Sequence, residues 1–505
     1  MKQKNSKGEA LQFSGKWDLA PAPESTDHIE IKKEYQLFIN GKFSKPSSGK
    51  YFPSINPANE KQLSMIAEAN ENDVDRAVKA ARKAFDGTWS KISAKERGKY
   101  IYRIARLIQE KARELAVIES LDGGKPIRES RDIDVPIAAA HFFYYAGWTD
   151  KLKYAFPNQS PKAVGVAGQV IPWNFPLMMA AWKLGPILAE GNTVILKPAE
   201  QTSMSTIRLA QLATEAGIPD GVINVVPGFG EEVGKALGEH MGIDCVGFTG
   251  STEIGRMFLR YSADSNLKRV LLECGGKNPL VVMPDAADLD VVADHAANSI
   301  FWNMGENCSS NSRVLIHSSL KAEFIELLLE RTQDWVIADP LDSACRLGPL
   351  IEEDHMKKVL SHIEKAKKEG AKLICGGNRA MTESGGYFVE PTIFDEVSPK
   401  MSIAKEEIFG PVLAILTFET PEEGIAMAND TEYGLTASVF SASNKTAHNA
   451  ARQIRAGTVS VNCYGEGDIS TPFGGFGLSG FGGRDKSLAA HDQYCELKTI
   501  WMDMS

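Results

Sequence analysis

The spacing of apolar residues changes character along the chain, and each change predicts a different kind of structure. Residues 1–33 are polar with no sustained periodicity, which predicts a poorly ordered leader. Order is expected to begin at Leu37-Phe38-Ile39-Asn40-Gly41-Lys42-Phe43, where an apolar run meets Asn-Gly, a hairpin turn signal. Val74, Ala77, Val78, Ala81 and Phe85 then fall at i, i+3, i+4, i+7 and i+11, one face of a helix, and Ile101, Ile104, Ile108 and Leu115 mark another. From about 163 to 285 the pattern becomes short β-branched runs separated by helical segments. Examples are Val164-Gly165-Val166, Thr193-Val194-Ile195-Leu196, Val222-Ile223-Asn224-Val225-Val226, Cys245-Val246-Gly247-Phe248 and Arg269-Val270-Leu271-Leu272. Such alternation predicts βαβ units around a mostly parallel sheet covered on both faces. A second alternating block from about 278 to 462, with runs such as Leu280-Val281-Val282 and Val412-Leu413-Ala414-Ile415-Leu416, predicts a second α/β domain. Between Thr471 and Gly483 six glycines crowd together, so that stretch should be irregular and lie close to something.

Composition narrows the class. At roughly 150 residues per domain, 505 residues correspond to about three domains. The chain has 56 Lys+Arg against 65 Asp+Glu, a net charge of −9, with no basic block of the kind that neutralises phosphates, which argues against nucleic acid as a partner. No two of the seven cysteines (Cys245, Cys274, Cys308, Cys345, Cys375, Cys463 and Cys495) lie closer than Cys245 and Cys274, so neither C-x-x-C nor zinc-finger spacing occurs and no metal is expected. An odd count, all beyond residue 244, does not suit a secreted disulfide framework. The first twenty residues lack the apolar core of a signal peptide, and the best apolar run, Leu177 to Trp182, stops at Lys183, too short for a membrane span. A reduced, cytoplasmic protein is expected.

Six segments could carry chemistry. Gly305-Glu306-Asn307-Cys308-Ser309-Ser310 follows an apolar helix-like stretch and could present a thiol near a helix end; a buried structural cysteine is the plainer alternative. Leu271-Leu272-Glu273-Cys274-Gly275-Gly276-Lys277 places a carboxylate at the mouth of a sheet, where a partly desolvated glutamate can act as a general base, although an isolated strand-end glutamate is more commonly just solvated. Phe248-Thr249-Gly250-Ser251-Thr252-Glu253-Ile254-Gly255 reads as strand, turn and helix start, an anion site in principle and a weak signal alone. Gly228-Phe229-Gly230 with Gly234 is equally weak. Lys197 and Glu200 stand just past a strand end, where they could hold ribose hydroxyls or be surface charge. Pro172-Trp173-Asn174-Phe175-Pro176 is a rigid wall carrying one amide donor, and a rigid donor suits an oxyanion, for which it is worth about 3–4 kcal/mol in a transition state.

Taken together and in order, these segments resemble the NAD(P)-dependent aldehyde dehydrogenase superfamily. The resemblance runs from Leu37-Phe38-Ile39-Asn40-Gly41 to Glu496-Leu497-Lys498-Thr499-Ile500. It comprises P-W-N-F-P at 172–176, K-P-A-E at 197–200, F-T-G-S-T-E-I-G at 248–255, E-C-G-G-K at 273–277, G-E-N-C-S at 305–309, E-E-I-F-G-P-V at 406–412 and P-F-G-G-F at 472–476. It implies two Rossmann-like α/β domains and a small β-ribbon: a leader at 1–33, an NAD-binding domain from 34–144 and 164–276, an oligomerisation ribbon from 145–163 and 491–505, and a catalytic domain at 277–490. Its exposed ribbon edge implies a homodimer or homotetramer.

Residue by residue, the resemblance makes Cys308 the nucleophile, Glu273 the base for the hydrolytic water, and Asn174 with the Cys308 backbone N–H the oxyanion hole. Lys197 and Glu200 would hold the adenosine ribose, Gly250 and Ser251 would approach the pyrophosphate, and Glu407 would bind the nicotinamide ribose with Phe409 lining that end. Ile171, Pro172, Trp173, Gly230 and Phe248 complete the expected cofactor set. NAD is implied; NADP stays open, because Glu200 disfavours a 2′-phosphate without excluding it. Glu273 argues against relatives that pass the acyl group to coenzyme A. Two positions depart from the common pattern, Glu306-Asn307 before the nucleophile and Cys274 after the base, and Glu306 would raise the Cys308 pKa if it pointed inward. For the small-molecule aldehyde, Phe175, Trp182 and Phe473 are the expected apolar walls, and Glu466 and Asp468 would make a roomy negative mouth. That loop and the chain end resemble the subgroup acting on γ-glutamyl-γ-aminobutyraldehyde and 4-guanidinobutyraldehyde. Solvated loop charge is the alternative for both carboxylates, and a broad-specificity aliphatic or aromatic aldehyde dehydrogenase is the alternative for the whole.

Overall fold

A computed structural model of the chain describes residues 23–156 and 161–504. Positions 1–22 of the expected leader lie outside the described residues. Its remaining part is anchored: the Glu24 N–H donates to the Leu341 carbonyl (2.7 Å), the Glu24 carboxylate pairs with Arg113 (2.5 Å), and Ile29 and Ile31 pack against the largest apolar core. Regular structure starts just ahead of the expected point, with Glu34–Tyr35 pairing in parallel with Gln62–Ala67. Asn40 and Gly41 both take left-handed backbone (φ 55° and 73°), joining Leu37–Ile39 to Lys42–Ser44 in a two-residue hairpin.

The two helices read from periodicity are present, with two corrections. On Glu71–Asp86, Ala84 rather than Phe85 takes the last buried place, and Phe85 is half-buried. Leu115 is not on the helix of Ile101, Ile104 and Ile108: that helix, Ala94–Glu110, ends at Lys111, and Leu115 belongs to Ala112–Gly123. Both helices bury their apolar faces in the same core, so the spacing runs on across a break it cannot register. Residues 145–155, expected in a ribbon, are mainly helical (Val135–Trp148 and Leu152–Ala155); among the described residues the strand pairing of that ribbon is Lys162–Ala163 with Cys495–Glu496, antiparallel.

The strand–helix alternation builds two large sheets. In the first, Arg269–Glu273, Cys245–Thr249, Val166–Val170, Thr193–Lys197 and Ile223–Val225 run parallel in that spatial order, flanked by antiparallel edges. The second has seven strands, parallel except for the edge pair Lys372–Cys375 and Thr392–Asp395. The glycine-rich tail returns to the first sheet: Gly480 sits opposite Glu273, Phe481 opposite Leu272, and the Cys274 N–H donates to the Ser479 carbonyl (2.9 Å). That tail fell within 277–490 in the sequence reading, yet it clamps the strand that ends in Glu273. Between the first sheet and the site runs Pro176–Glu190, buried on almost every side, as a helix with apolar residues all round must be.

Beneath this helix lies a wholly buried ionic group. Lys125 pairs with Asp134, and Glu119, Asp122 and Glu129 stand nearby, their carboxylates taking hydrogen bonds from Leu177 N (3.3 Å), Ser54 Oγ (2.6 Å) and Asn303 N (3.0 Å) respectively. Burial pushes Glu119 and Asp122 up to about 7 and Glu129 up to about 8. A folded-state pKa above the unfolded value stabilises at low pH, and that contribution is lost as pH rises through 7 to 8. The melting temperature should therefore fall from about pH 5 to pH 8 and level off above it, and Glu129→Gln, which keeps an acceptor oxygen, should flatten the fall. An equally steep fall in the variant would contradict this assignment.

Candidate active site

Strand order in the first sheet reverses between Val166–Val170 and Cys245–Thr249, and a crevice opens beyond the carboxyl ends of strands at such a point. Pro172 to Phe175, Thr249 to Ser251 and Glu273 to Gly275 all leave strands there. The second sheet meets the crevice with the starts of its strands: Cys308 precedes Arg313–His317, and Glu407 to Phe409 precede Val412–Phe418. The result is a cleft of about 270 Å³ with Cys308, Glu273 and Asn174 on its walls.

The nucleophile turn is built by backbone reversal. Helix Leu289–Phe301 ends, and Asn303 (φ 50°), Met304 (φ 55°) and Gly305 (φ 71°) follow in left-handed conformation. Cys308 then stands half-buried at the cleft. Burial, followed by the negative charge of Glu466, Glu407 and Glu273, pushes its thiol well above the ordinary range, while its own backbone N–H pulls the other way. Glu306 does not act on it. Its side chain turns away, accepting from Ile351 N (2.9 Å) and lying 3.6 Å from His355 Nε2. Its backbone carbonyl is what reaches the site, accepting from Asn174 Nδ2 (2.9 Å) and Asn303 Nδ2 (3.0 Å). An amide nitrogen carries two hydrogens, so Asn174 keeps a second for a ligand oxygen.

Glu273 is buried, and desolvation, with help from Asp485 and Glu466, holds its proton well above the usual carboxylate range. Its Oε2 has no hydrogen-bond partner among the described residues. Asp485 is itself tied to Lys183 (2.5 Å), both buried. Lys183 is the charge that interrupts the apolar run at Trp182; a lone lysine inside such a helix was a readable sign of a buried partner.

Of the expected cofactor residues, Pro172, Trp173, Gly250, Ser251, Glu407 and Phe409 line the cleft, and Ile171, Lys197, Glu200, Gly230 and Phe248 do not. Phe248 is buried against Phe258 (5.0 Å between rings) because neighbours on a strand face opposite ways; Thr249 lines the cleft instead. Ile171 is buried, with its N–H bonded to the Lys197 carbonyl (3.1 Å). Lys197 Nζ lies 3.2 Å from the Glu200 carboxylate, and Gly230 opens the turn Gly230–Gly234. Ser251 caps helix Thr252–Ala263, accepting from Ile254 N (3.3 Å) at its amino end. Glu407 accepts from Gly276 N (2.8 Å) and presses on Gly275, where a Cβ would stand 1.9 Å from its Oε2; only glycine permits that approach. Burial raises Glu407 to about 7. Trp173 and Phe409 meet edge to face at 5.4 Å, with His355 Nε2 donating to the Phe409 carbonyl (2.7 Å).

Phe175, Trp182 and Phe473 line the cleft with apolar surface, joined by Met178 and Met179. Glu466 lines the cleft too, its Oε1 accepting from Ser309 Oγ (2.5 Å). Asp468 is displaced from its expected place on this wall. It is exposed and its carboxylate takes Ser470 N (2.9 Å) and Oγ (2.7 Å), a local turn that Asp forms readily two residues ahead of a free N–H. Lys486 was not foreseen: buried, it donates to the Glu466 carbonyl (2.9 Å), and its Nζ lies 5.2 and 5.4 Å from the Trp182 and Phe473 ring centres. The mouth is therefore less negative than the loop sequence suggests. Among the described residues no cluster suits a metal ion, and no helix is long and apolar enough to cross a membrane.

The fold and this cleft define an enzyme of the oxidoreductase class, and the chain belongs to the aldehyde dehydrogenase family, whose pattern matches residues 43–500. It is 49% identical over 482 residues to an aminoacetaldehyde dehydrogenase of Pseudomonas aeruginosa, covering 93% of this chain and 96% of that one. It is similar in structure to an indole-3-acetaldehyde dehydrogenase solved with NAD+ (TM-score 0.91, 47% identity, 94% and 97% covered). It is similar also to a γ-glutamyl-γ-aminobutyraldehyde dehydrogenase of Burkholderia cenocepacia (TM-score 0.89, 45% identity, 93% and 96% covered).

Glu273 keeps its proton well above the ordinary range, so its carboxylate forms only as pH rises; if it serves as the base, turnover should climb with pH on that limb. Glu273→Gln should lower kcat by about 100-fold or more, in the range of a lost general base, and remove the limb. A variant that keeps the same acid limb in its kcat–pH profile would contradict the assignment.

Proposed function

We propose that this protein oxidises an aldehyde to its carboxylic acid with NAD, through a covalent adduct on Cys308. The convergence of Cys308, Glu273 and Asn174 on one cleft carries this reading. The cofactor side fits a dinucleotide. A helix amino end at Ser251 favours pyrophosphate, Thr249 Oγ1 is buried without a partner, Glu407 is fixed by Gly276 N to meet ribose hydroxyls, and Glu200 beside Lys197 disfavours a 2′-phosphate. The named NAD+ complex of a similar protein supports the same choice.

The Cys308 thiol gives its proton to a carboxylate, Glu273 being on the same cleft, and the thiolate sulfur bonds to the aldehyde carbon. The carbonyl oxygen, now negative, takes the Asn174 amide and the Cys308 backbone N–H. When bound, NAD supplies the acceptor for the hydride that this tetrahedral adduct must lose. A thioester on Cys308 remains. Glu273, having passed the thiol proton to solvent, then takes a proton from water, the hydroxide adds to the thioester carbon, and the C–S bond breaks to return the thiolate and the acid.

For the substrate we favour an amino-, guanidino- or γ-glutamylamino-aldehyde of the kind met in polyamine breakdown. Glu466 supports this: it is a carboxylate in an otherwise apolar, aromatic channel, a combination that attracts an ammonium or guanidinium. The relatives named for aminoacetaldehyde and γ-glutamyl-γ-aminobutyraldehyde point the same way. A neutral aromatic or aliphatic aldehyde is the second reading, favoured by the apolar walls, by Lys486 against Trp182 and Phe473, and by Ser309 already on Glu466. We also assign the first sheet to cofactor binding and the second to the nucleophile. The edge at Lys162–Ala163 and Cys495–Glu496, continued by exposed Leu497, Ile500 and Trp501, is assigned to a second copy in a homodimer or homotetramer. Seven free cysteines accord with a reduced, cytoplasmic setting.

Glu466→Gln should lower kcat/KM about tenfold for an ω-aminoaldehyde, equivalent to ~1.4 kcal/mol, and leave a neutral aldehyde of equal length within twofold. Equal effects on both would overturn the cationic reading and favour the neutral one.

A further inference from the structure

Asn303 lies outside the cleft lining and 1% exposed, yet it holds both sides of the oxyanion site. Its Nδ2 donates to the backbone carbonyls of Asn174 (3.2 Å) and Glu306 (3.0 Å), and the Asn174 amide donates to that same Glu306 carbonyl (2.9 Å). Three groups thus close a ring of hydrogen bonds that joins the loop after Val166–Val170 to the turn before Cys308. Asn303 is in turn held from behind, its N–H donating to Glu129 Oε2 (3.0 Å). The Lys125 ammonium of the same buried group stands 4.0 Å from the ring centre of Phe175, the neighbour of Asn174. The residue type fits each demand. Asparagine tolerates the left-handed φ of 50° better than most side chains, and its short amide carries two hydrogens for two carbonyls.

We propose that Asn303 is a positioning residue that locks Asn174 and the Cys308 backbone N–H into one rigid oxyanion site, with Glu129 fixing Asn303 from the buried ionic group. This rests on the oxyanion role given to Asn174 above. Donors aimed at a developing negative oxygen lose their effect with small displacements, so the lock serves steps that form an oxyanion and is idle in those that do not.

Two reactions of Cys308 in the full-length protein separate these cases. In alkylation by iodoacetamide the sulfur–carbon bond forms as iodide leaves, and no oxyanion develops. In acylation by p-nitrophenyl acetate the sulfur adds to the carbonyl carbon, an oxyanion forms, and p-nitrophenolate leaves with its electron pair as the acyl group stays on sulfur. Asn303→Gly keeps the left-handed backbone and the N–H to Glu129 but removes the amide. It should slow acylation at least tenfold and leave alkylation within twofold across pH 6–9. Asn303→Asp, similar in shape but facing both carbonyls with oxygen, should give the same split should the glycine variant not fold. Asn174→Ala is the control and should split the two rates likewise. If Asn174→Ala splits them and the Asn303 variants leave both unchanged, or slow both together, the positioning role is overturned. If Asn174→Ala does not split them, the oxyanion reading itself fails and this proposal fails with it.

Discussion

Glu273 ends its strand where two sheets meet and water is largely excluded, and the charges of Asp485 and Glu466 add to the cost of ionising it. The same exclusion acts on Cys308, whose thiol is pushed up by burial and by three surrounding carboxylates. Both groups are therefore harder to ionise here than in water. A base with a raised pKa is a strong base once ionised, and a thiolate formed beside carboxylates is a strong nucleophile.

Holding that seam shut is costly, and the rest of the fold reflects it. The glycine-rich tail clamps the Glu273 strand through Cys274 N and Ser479 O, and Gly275 admits Glu407 at a distance no side chain would allow. Lys183 and Asp485 neutralise each other inside the apolar helix. Lys125 sits among the carboxylates that carry the nucleophile turn from below. Isolated buried charges are costly, and Lys183 with Asp485 and Lys125 with Asp134 meet that cost by pairing.

Much of this could be read from residues alone, for reasons that differ by element. Asn40-Gly41 announced its hairpin because only certain residues accept two left-handed positions in succession. The β-branched runs of the first sheet were legible because strands buried on both faces are continuously apolar. The catalytic segments were legible as an ordered set, although each was weak by itself. What escaped was what depends on distant partners. Spacing cannot show that Leu115 lies beyond a helix break, that Leu152–Ala155 is helical, or that Asp468 spends its carboxylate on Ser470 while Glu466 faces the cleft. Nor could it tell that Glu306 turns its side chain toward Ile351 and offers only its carbonyl, which reverses the role first considered for it.

The central claim is that carbon–sulfur bond formation at Cys308 and water activation by Glu273 are separate steps. Mass spectrometry of Glu273→Gln quenched in acid after mixing with NAD and an aldehyde tests it most directly. A thioester should accumulate on the peptide carrying Cys308, its acyl group two hydrogens lighter than the simple aldehyde adduct and close to one per active site. An acyl group on another residue, or one equivalent of NADH formed with Cys308 unmodified at every time, would contradict it.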